Sequence, residues 1–144
     1  MTGSREAIYA ALFSLLGNCA PFAVTGRRLQ AWEDTQEQPA LFQMQSGEQA
    51  AEGAAGMPLR WKLSVRIWIY AKTDGSPSAV PSSALNPLID AVDSVLGGSS
   101  LAIGRKQTLG GLVLNAWIDG EVRIFEGVLG QQAVAIIPVS ILTT

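Results

Sequence analysis

Acidic side chains at helical spacing are the first candidates for chemistry in this sequence. Asp90 and Asp93 stand three residues apart, which places both carboxylates on one turn of a helix. Such a pair can serve acid–base catalysis or hold a cation, and an enzyme built on it could also draw on Glu126. No third ligand accompanies the pair, so a solvated helix face is the simpler interpretation. Glu48 and Glu52 could likewise clamp a cation, although they more simply keep a loop soluble.

The groups that many enzymes use are absent. The chain has no histidine, which excludes Ser-His-Asp and Cys-His nucleophile systems and His-ligated metals. It has no GxxxxGKS/T motif and no GxGxxG motif that opens a helix. Lys106 precedes the pair Gly110-Gly111, but a strand follows those glycines, so no helix N-terminus faces a phosphate there. The sequence therefore predicts a protein that is not an enzyme and that uses no cofactor and no metal.

Basic and aromatic side chains are the remaining candidates for binding. Arg27 and Arg28 could contact phosphates, but a surface salt bridge or a subunit contact is the simpler explanation. Trp61 is in phase with the aliphatic residues of its strand, so we expect it in the core. Trp68 and Trp117 have the opposite phase, which suits interface anchors because Trp and Arg are enriched at binding hot spots. Burial beneath a loop is an equal alternative for these two.

These residue types together predict an interface with other subunits or with a partner. The candidate interface residues are Arg27, Arg28, Glu48, Glu52, Met57, Arg66, Trp68 and Trp117. A second class of protein remains open, a small-molecule or carbohydrate binding module. Its stacking platform would be built from Trp68, Tyr70 and Trp117.

The composition indicates one domain that shares its surface with neighbours. A chain of 144 residues fits a single domain, residues 1–144, and 48% hydrophobic residues suffice for a core. Only 15% of the residues are charged, against about 25% in typical proteins. The mean hydropathy is +0.25. Polar residues interrupt every apolar run well before the roughly 18 residues of a membrane span. We therefore expect an oligomer rather than a membrane protein.

Charge and cysteine content limit the partners and the compartment. The net charge is −2, which gives no basic footprint for wrapping nucleic acid. Cys19 is the single cysteine and cannot form an internal disulfide. The N-terminal segment lacks the basic region and cleavage site of a signal peptide. We therefore expect a reducing, cytoplasmic setting.

Two helices are predicted from capping signals and apolar spacing. Ser4 can cap a helix that runs from Arg5 to about Leu16. Asn86 can cap a second helix with Pro87 in its first turn. The pair Gly97-Gly98 would end the second helix, because two glycines are poor helix formers.

The strands are predicted from alternation and from turn signals. The clearest is residues 59–73, preceded by a strand over residues 39–49 that Pro39 opens and by a mobile loop over residues 46–57. Three more follow, at 112–118, 122–125 and 133–142. Asp119-Gly120 predicts a hairpin, and Pro138 predicts an edge strand or a bulge. The fold class is α+β: a largely antiparallel or mixed sheet of about four to six strands with two helices on one face.

The ordered pattern resembles the tail terminator, or tail completion (minor tail), proteins of long-tailed bacteriophages and prophages. The matching motifs are structural and cover most of the chain, apart from the loops at 48–57 and 76–83. They are SREAIYAALFSLL, RRLQAWED, QPALFQMQSGE, WKLSVRIWIYA, LNPLIDAVDSVL, QTLGGLVLNAWIDGEV and QQAVAIIPVSIL.

The resemblance implies a structural virion protein. Members form a ring, usually a hexamer, that caps the tail tube, stops its polymerisation and docks the neck proteins of the head. The implied partners are further copies of the chain, the major tail tube protein and the head or neck connector, with DNA passing through the lumen unread. The implied location is the head-proximal end of the virion tail, after assembly in the host cytoplasm. Residues 59–70 and the strand with Pro138 are expected to supply ring contacts. Another head–tail joining adaptor is the alternative within this class.

Overall fold

The protein is a two-layer α+β fold in the computed structural model, which describes residues 1, 3–51, 55–56, 59–73, 76, 78–97, 106–126 and 131–144. Two helices and the inward side of one six-stranded sheet share a single large core, as predicted. Neither helix in the described ranges is long and apolar enough to cross a membrane. The helices are α1 (Arg5–Gly17) and α2 (Ser82–Val95), and a short 3-10 turn spans Trp32–Asp34. The strands are β1 (Val24–Gly26), β2 (Ala40–Ala51), β3 (Arg60–Lys72), β4 (Val113–Ile118), β5 (Arg123–Glu126) and β6 (Gln132–Thr143).

The sheet places β3 and β6 at its centre. The strand order is β1-β2-β3-β6-β4, and β5 also pairs with β6. The β1–β2 pair is parallel and the other pairs are antiparallel. The strand that contains Pro138 is therefore not an edge strand, so that expectation was wrong. Since β3 and β6 both have partners on each side, they can meet another subunit only through their faces.

Helix α1 forms as its sequence predicts. The Ser4 hydroxyl accepts a hydrogen bond from the Ala7 amide at 3.1 Å, which satisfies one of the free donors at the helix start. Glu6 lies in the first turn, where the helix dipole favours an anion. One side of the helix is buried against the sheet, namely Ile8, Tyr9, Leu12 and Leu16.

Helix α2 begins at Ser82, not at Asn86 as the capping signal predicted. Pro87 consequently lies inside the helix, where its missing N–H removes one backbone hydrogen bond. Leu85 explains the extension, because it is fully buried. Burying a leucine contributes about 1.5–3 kcal/mol, which offsets the lost hydrogen bond. Leu88 and Val92 continue the buried side of the helix at helical spacing.

Strand β2 extends two residues past its predicted end at Gln49. The loop predicted over residues 46–57 was wrong for residues 46–51, which pair with β3 as far as Ala51, opposite Arg60. A register shift between Gln45 and Gly47 interrupts this pairing. Such a bulge reverses which face the following side chains occupy. Glu48 is therefore turned toward the helix layer, and its contacts there favour the strand conformation.

Strands β4 and β5 do not form the hairpin that Asp119-Gly120 predicted. Both pair with β6, β4 opposite its C-terminal half and β5 opposite its N-terminal half, so they lie end to end along one edge. The break between them faces Pro138, whose carbonyl accepts a hydrogen bond from the Asp119 amide at 3.0 Å. The nitrogen of Pro138, which has no N–H to donate, points to the same edge. The break between β4 and β5 leaves no strand there that needs a hydrogen-bond donor. This arrangement explains how a proline is tolerated in an inner strand.

Gly97 gives the first test of this packing. A Cβ atom at Gly97 would lie 2.1 Å from Asn115 Oδ1, which accepts a hydrogen bond from the Gln107 amide at 3.0 Å. We predict that Gly97→Ala lowers the free energy of unfolding by about 1–3 kcal/mol, because it displaces that acceptor. Gly47→Ala is the control, since nothing lies within 4 Å of its added Cβ. Urea unfolding followed by tryptophan fluorescence measures both, and equal losses would contradict the prediction.

Candidate interface on the open sheet face

The side of the sheet away from the helices carries side chains in regular rows, and we call it the open face. Strand register aligns each row across β2, β3, β6 and the β4–β5 edge. The first two rows are largely apolar and the later rows are polar. The first row is Ala40, Tyr70, Val134 and Phe125, and the second is Phe42, Trp68, Ile136 and Arg123. The third is Met44, Arg66 and Pro138, and the fourth is Gly47, Ser64, Ser140 and Trp117.

The apolar rows form an aromatic pocket of about 360 Å³. Phe42 and Tyr70 pack beneath it with their ring centres 5.6 Å apart. The Tyr70 hydroxyl donates to the Gln30 carbonyl at 2.7 Å, and burial raises the pKa of Tyr70. This hydroxyl therefore fixes the 24–32 segment over one side of the sheet. The pocket is lined by Trp32, Trp68, Tyr70, Phe125, Gln132, Val134 and Ile136.

Two buried polar atoms of pocket residues have no hydrogen-bond partner among the residues that the structure describes. They are the donor Trp68 Nε1 and the acceptor Gln132 Oε1. A buried group left unpaired costs about 1–3 kcal/mol, so native proteins pair most such groups. An apolar surface with one free donor and one free acceptor is suited to a partner that carries both apolar and polar groups.

The later rows hold Arg66 and a compact ion pair, and Arg123 lies nearby at the end of the second row. Lys62 Nζ lies 2.8 Å from Asp119 Oδ2, which also accepts from the Ser140 hydroxyl at 2.8 Å. Lys62 and then Ser140 hold the pKa of Asp119 below its usual range. Arg66 and Arg123 are exposed and border a cavity of about 310 Å³, and no described residue forms an ion pair with either. Asp119 and Glu121 line the same cavity, so two guanidinium groups and two carboxylates border the aromatic pocket.

Three of the predicted interface residues lie together on the open face. Arg66 and Trp68 occupy neighbouring rows of β3. Trp117 is opposite Ser140 in the fourth row, half-buried, and does not line the aromatic pocket. A stacking platform made of Trp68, Tyr70 and Trp117 is therefore not assembled, because only the first two line the pocket.

Two other candidates are bound within the chain, where they join α1 to the sheet. Arg27 forms an ion pair with Glu6 and donates to Gln45 Oε1 at 3.2 Å. Glu48 accepts from Arg5 Nε at 2.5 Å and from the Tyr9 hydroxyl at 3.0 Å. Arg5 chiefly, with Tyr9, holds the pKa of Glu48 below its usual range. Their charges stabilise the protomer instead of standing free for a partner.

The remaining candidates are dispersed. Arg28 is exposed beside the 3-10 turn, whereas Glu52 and Met57 lie outside the described residues. Asp90 and Asp93 are exposed on α2. Glu126 accepts from the Ser82 hydroxyl at 2.9 Å. In the part of the chain that the structure describes, no three Asp, Glu or Cys side chains converge as a metal site would require.

Sequence patterns alone did not identify Trp32 and Phe125 as pocket residues. A signal existed for Phe125, because Arg123-Ile124-Phe125 repeats the cation-then-aromatic alternation of Arg66 and Trp68. Trp32 reaches the pocket from the 3-10 turn, whose position depends on the Tyr70 contact with Gln30.

Comparison with known proteins finds a distant structural neighbour of this chain. No family model matches the chain, and no curated protein matches it. A solved structure titled "Virion of native gene transfer agent (GTA) particle" contains a chain with 12% identity and a TM-score of 0.45. The match covers 94% of this chain and 86% of that chain. A score this low does not establish a common fold.

The free energy of unfolding at acidic pH tests the role of Glu48. Because the folded state lowers the pKa of this carboxyl, its contribution is present above the usual carboxyl pKa of about 4.3 and is lost as the pH falls further. We predict that Glu48→Gln lowers the free energy of unfolding by about 0.5–1 kcal/mol near neutral pH, with the difference shrinking toward about pH 3. Urea titrations across this range, with Glu37→Gln as the exposed control, measure the difference. A pH-independent loss would contradict it.

Proposed function

We propose that this protein is a tail terminator of a long-tailed phage or prophage. Copies of the chain form a ring, a hexamer in the family it resembles, that caps the tail tube and stops its polymerisation. The opposite side of the ring docks the head or neck connector, and DNA passes through the lumen without sequence-specific contacts. In this proposal the protein acts as a scaffold at the head-proximal end of the tail and catalyses no reaction.

The open face is the observation that carries the proposal. The bare side of an antiparallel sheet normally alternates to polar residues. Here Phe125 is 48% exposed and Trp68 is half-buried, while Tyr70 beside them is buried beneath the pocket. Contiguous aromatic surface bordered by arginine is typical of protein interfaces, because these residue types supply most binding hot spots. A scaffold protein that always meets neighbours would have such a face.

The outer edge of β2 supports the same proposal. Strand β1 covers only Ala40–Phe42, so the rest of β2 has no strand partner on that side among the described residues. Residues 45–50 are exposed. Free edges of this length are usually blocked or paired, since they attract other strands. A neighbouring subunit or the tube would satisfy this edge.

A small-molecule binding module is the second candidate, and the aromatic pocket favours it. Its volume of about 360 Å³ lies within the range of ligand sites, about 300–1,000 Å³. Trp68 and Tyr70 could stack on a flat ligand such as a sugar. This hypothesis expects a monomer whose tryptophan fluorescence changes when ligand is added.

Another neck or tail completion adaptor is the alternative within the assembly class, and it would bind portal or neck proteins in preference to tubes.

Tube polymerisation provides the direct test. We predict that adding this protein to its cognate major tail tube protein shortens the tubes in proportion to its concentration and leaves a ring of density at one tube end. Negative-stain electron microscopy measures tube length and end occupancy. Trp68→Ala should weaken capping about tenfold or more, because a hot-spot aromatic contributes roughly 2 kcal/mol or more.

The control for this experiment is Val80→Ala, which truncates an exposed apolar side chain (59% exposed) outside the aromatic pocket and outside the sheet. It should cap tubes like the wild type. Unchanged tube length and empty tube ends with the wild-type protein would rule out the terminator role. Binding to neck proteins alone would favour the adaptor.

A further inference from the structure

We propose that the open face of one copy binds the outer face of α2 in the next copy. This inference rests on the proposed ring and specifies its subunit contact. We define the outer face of α2 by its exposed side chains. They are Ser83, Asn86, Pro87, Asp90, Asp93 and Ser94.

Opposite charges on the two faces are the first argument. Arg66 and Arg123 on the open face are exposed and have no ion-pair partner among the described residues. Asp90 and Asp93 on α2 are exposed and equally lack one. The two pairs lie on opposite layers of the fold, so they cannot neutralise each other inside one protomer. They can do so between two protomers.

The placement of the aspartates in α2 strengthens this argument. They stand three residues apart, where like charges repel. They also lie in the second half of the helix, toward the negative end of its dipole, and the last turn contains no basic residue. This arrangement is unfavourable in the isolated protomer, and cations from a neighbour would relieve it.

The distance between neighbouring side chains on the outer face of α2 matches the distance between neighbouring side chains of β3 on the open face. Pro87 and Asp90 are separated by three helical residues, so their side chains are about 5–6 Å apart. Trp68 and Arg66 are two strand residues apart on one face, about 6.6 Å. Pro87 can therefore lie on the aromatic pocket while Asp90 meets Arg66. Arg66 and Arg123 border one cavity, which Asp119, already paired with Lys62, and Glu121 also line. Both guanidinium groups can approach the aspartate pair from this cavity.

The unpartnered indole is also explained. Trp68 Nε1 is a buried donor without an acceptor in the described part of the chain. Asn86, which precedes Pro87 and is exposed, offers a carbonyl acceptor at the position that the docked helix brings to the pocket. The contact joins two different faces, so it is heterologous, and such contacts generate a ring when the rotation closes.

A reciprocal charge reversal tests the contact. We expect R66D/R123D and D90R/D93R each to weaken self-association about 10–100-fold, since each places like charges across the contact. A 1:1 mixture of the two variants should restore assembly, because copies can then alternate with opposite charges at every contact. Native mass spectrometry across a concentration series reads out the mass, and urea unfolding confirms that each variant is folded. The matched control is Lys106→Asp, an exposed cation on the segment before β4 that belongs to neither face.

The outcomes separate this inference from the proposed function. A wild-type ring whose mass and affinity neither double variant changes would overturn the docking and leave the ring in place. A wild type that stays monomeric both in solution and on tube ends would also overturn the docking. If that monomer leaves tube length unchanged as well, the terminator role fails with it. Failure of the mixed variants to recover assembly would show that the two faces do not meet.

Discussion

The antiparallel pairing of β3 with β6, continuous from Lys62 to Lys72, is the constraint on which the rest of the structure depends. Because alternate residues of a strand face opposite sides, one register fixes both the core and the open face. Ile67 opposite Ile137 supports the helices, while Trp68 opposite Ile136 forms the floor of the aromatic pocket. A slip of one residue would exchange these two sets. The hydrophobic core and the candidate interface are therefore two consequences of the same hydrogen bonds.

Local irregularities then adjust which side chains each face receives. The β2 bulge directs Glu48 to the helix layer, where Arg5 and Tyr9 contact it, and Arg5 also stacks on Trp61 at 4.8 Å. The break opposite Pro138 keeps Asp119 within reach of Lys62 and Ser140. Both irregularities place a carboxylate where a regular strand would not.

The sequence contained enough information for the elements with strong periodic patterns. Helix α1 and strand β3 could be predicted because their apolar residues repeat at the spacing of their own structure. The start of α2 could not, because burial of Leu85 overrides the capping signal at Asn86. The turn signal at Asp119-Gly120 was misleading, since a turn motif is local whereas the end-to-end arrangement of β4 and β5 is set by β6.

The candidate site was less predictable than the fold for a similar reason. The phase of Trp68 and Arg66 correctly placed them on the face away from the helices, where Trp68 packs against a second buried cluster that includes Phe42 and Tyr70. Phase does not show which charges are already paired. Arg27 and Glu48 were predicted to contact a partner, but they are bound within the chain to Glu6 and Arg5 respectively. The pocket itself combines strands with the 3-10 turn near Trp32, and only the three-dimensional register brings these segments together.

The end-to-end arrangement of β4 and β5 has a consequence for local stability. Strand β5 has four residues, all exposed, and among the described strands it pairs with β6 alone. Segments with few buried contacts open at a lower free energy than the core, independently of global unfolding. Strand β5 carries Phe125 and Arg123, so the rim of the pocket lies on one of the least anchored strands of the sheet. This rim can adjust its shape to each surface that it meets, while β3 and β6 keep the floor of the pocket rigid.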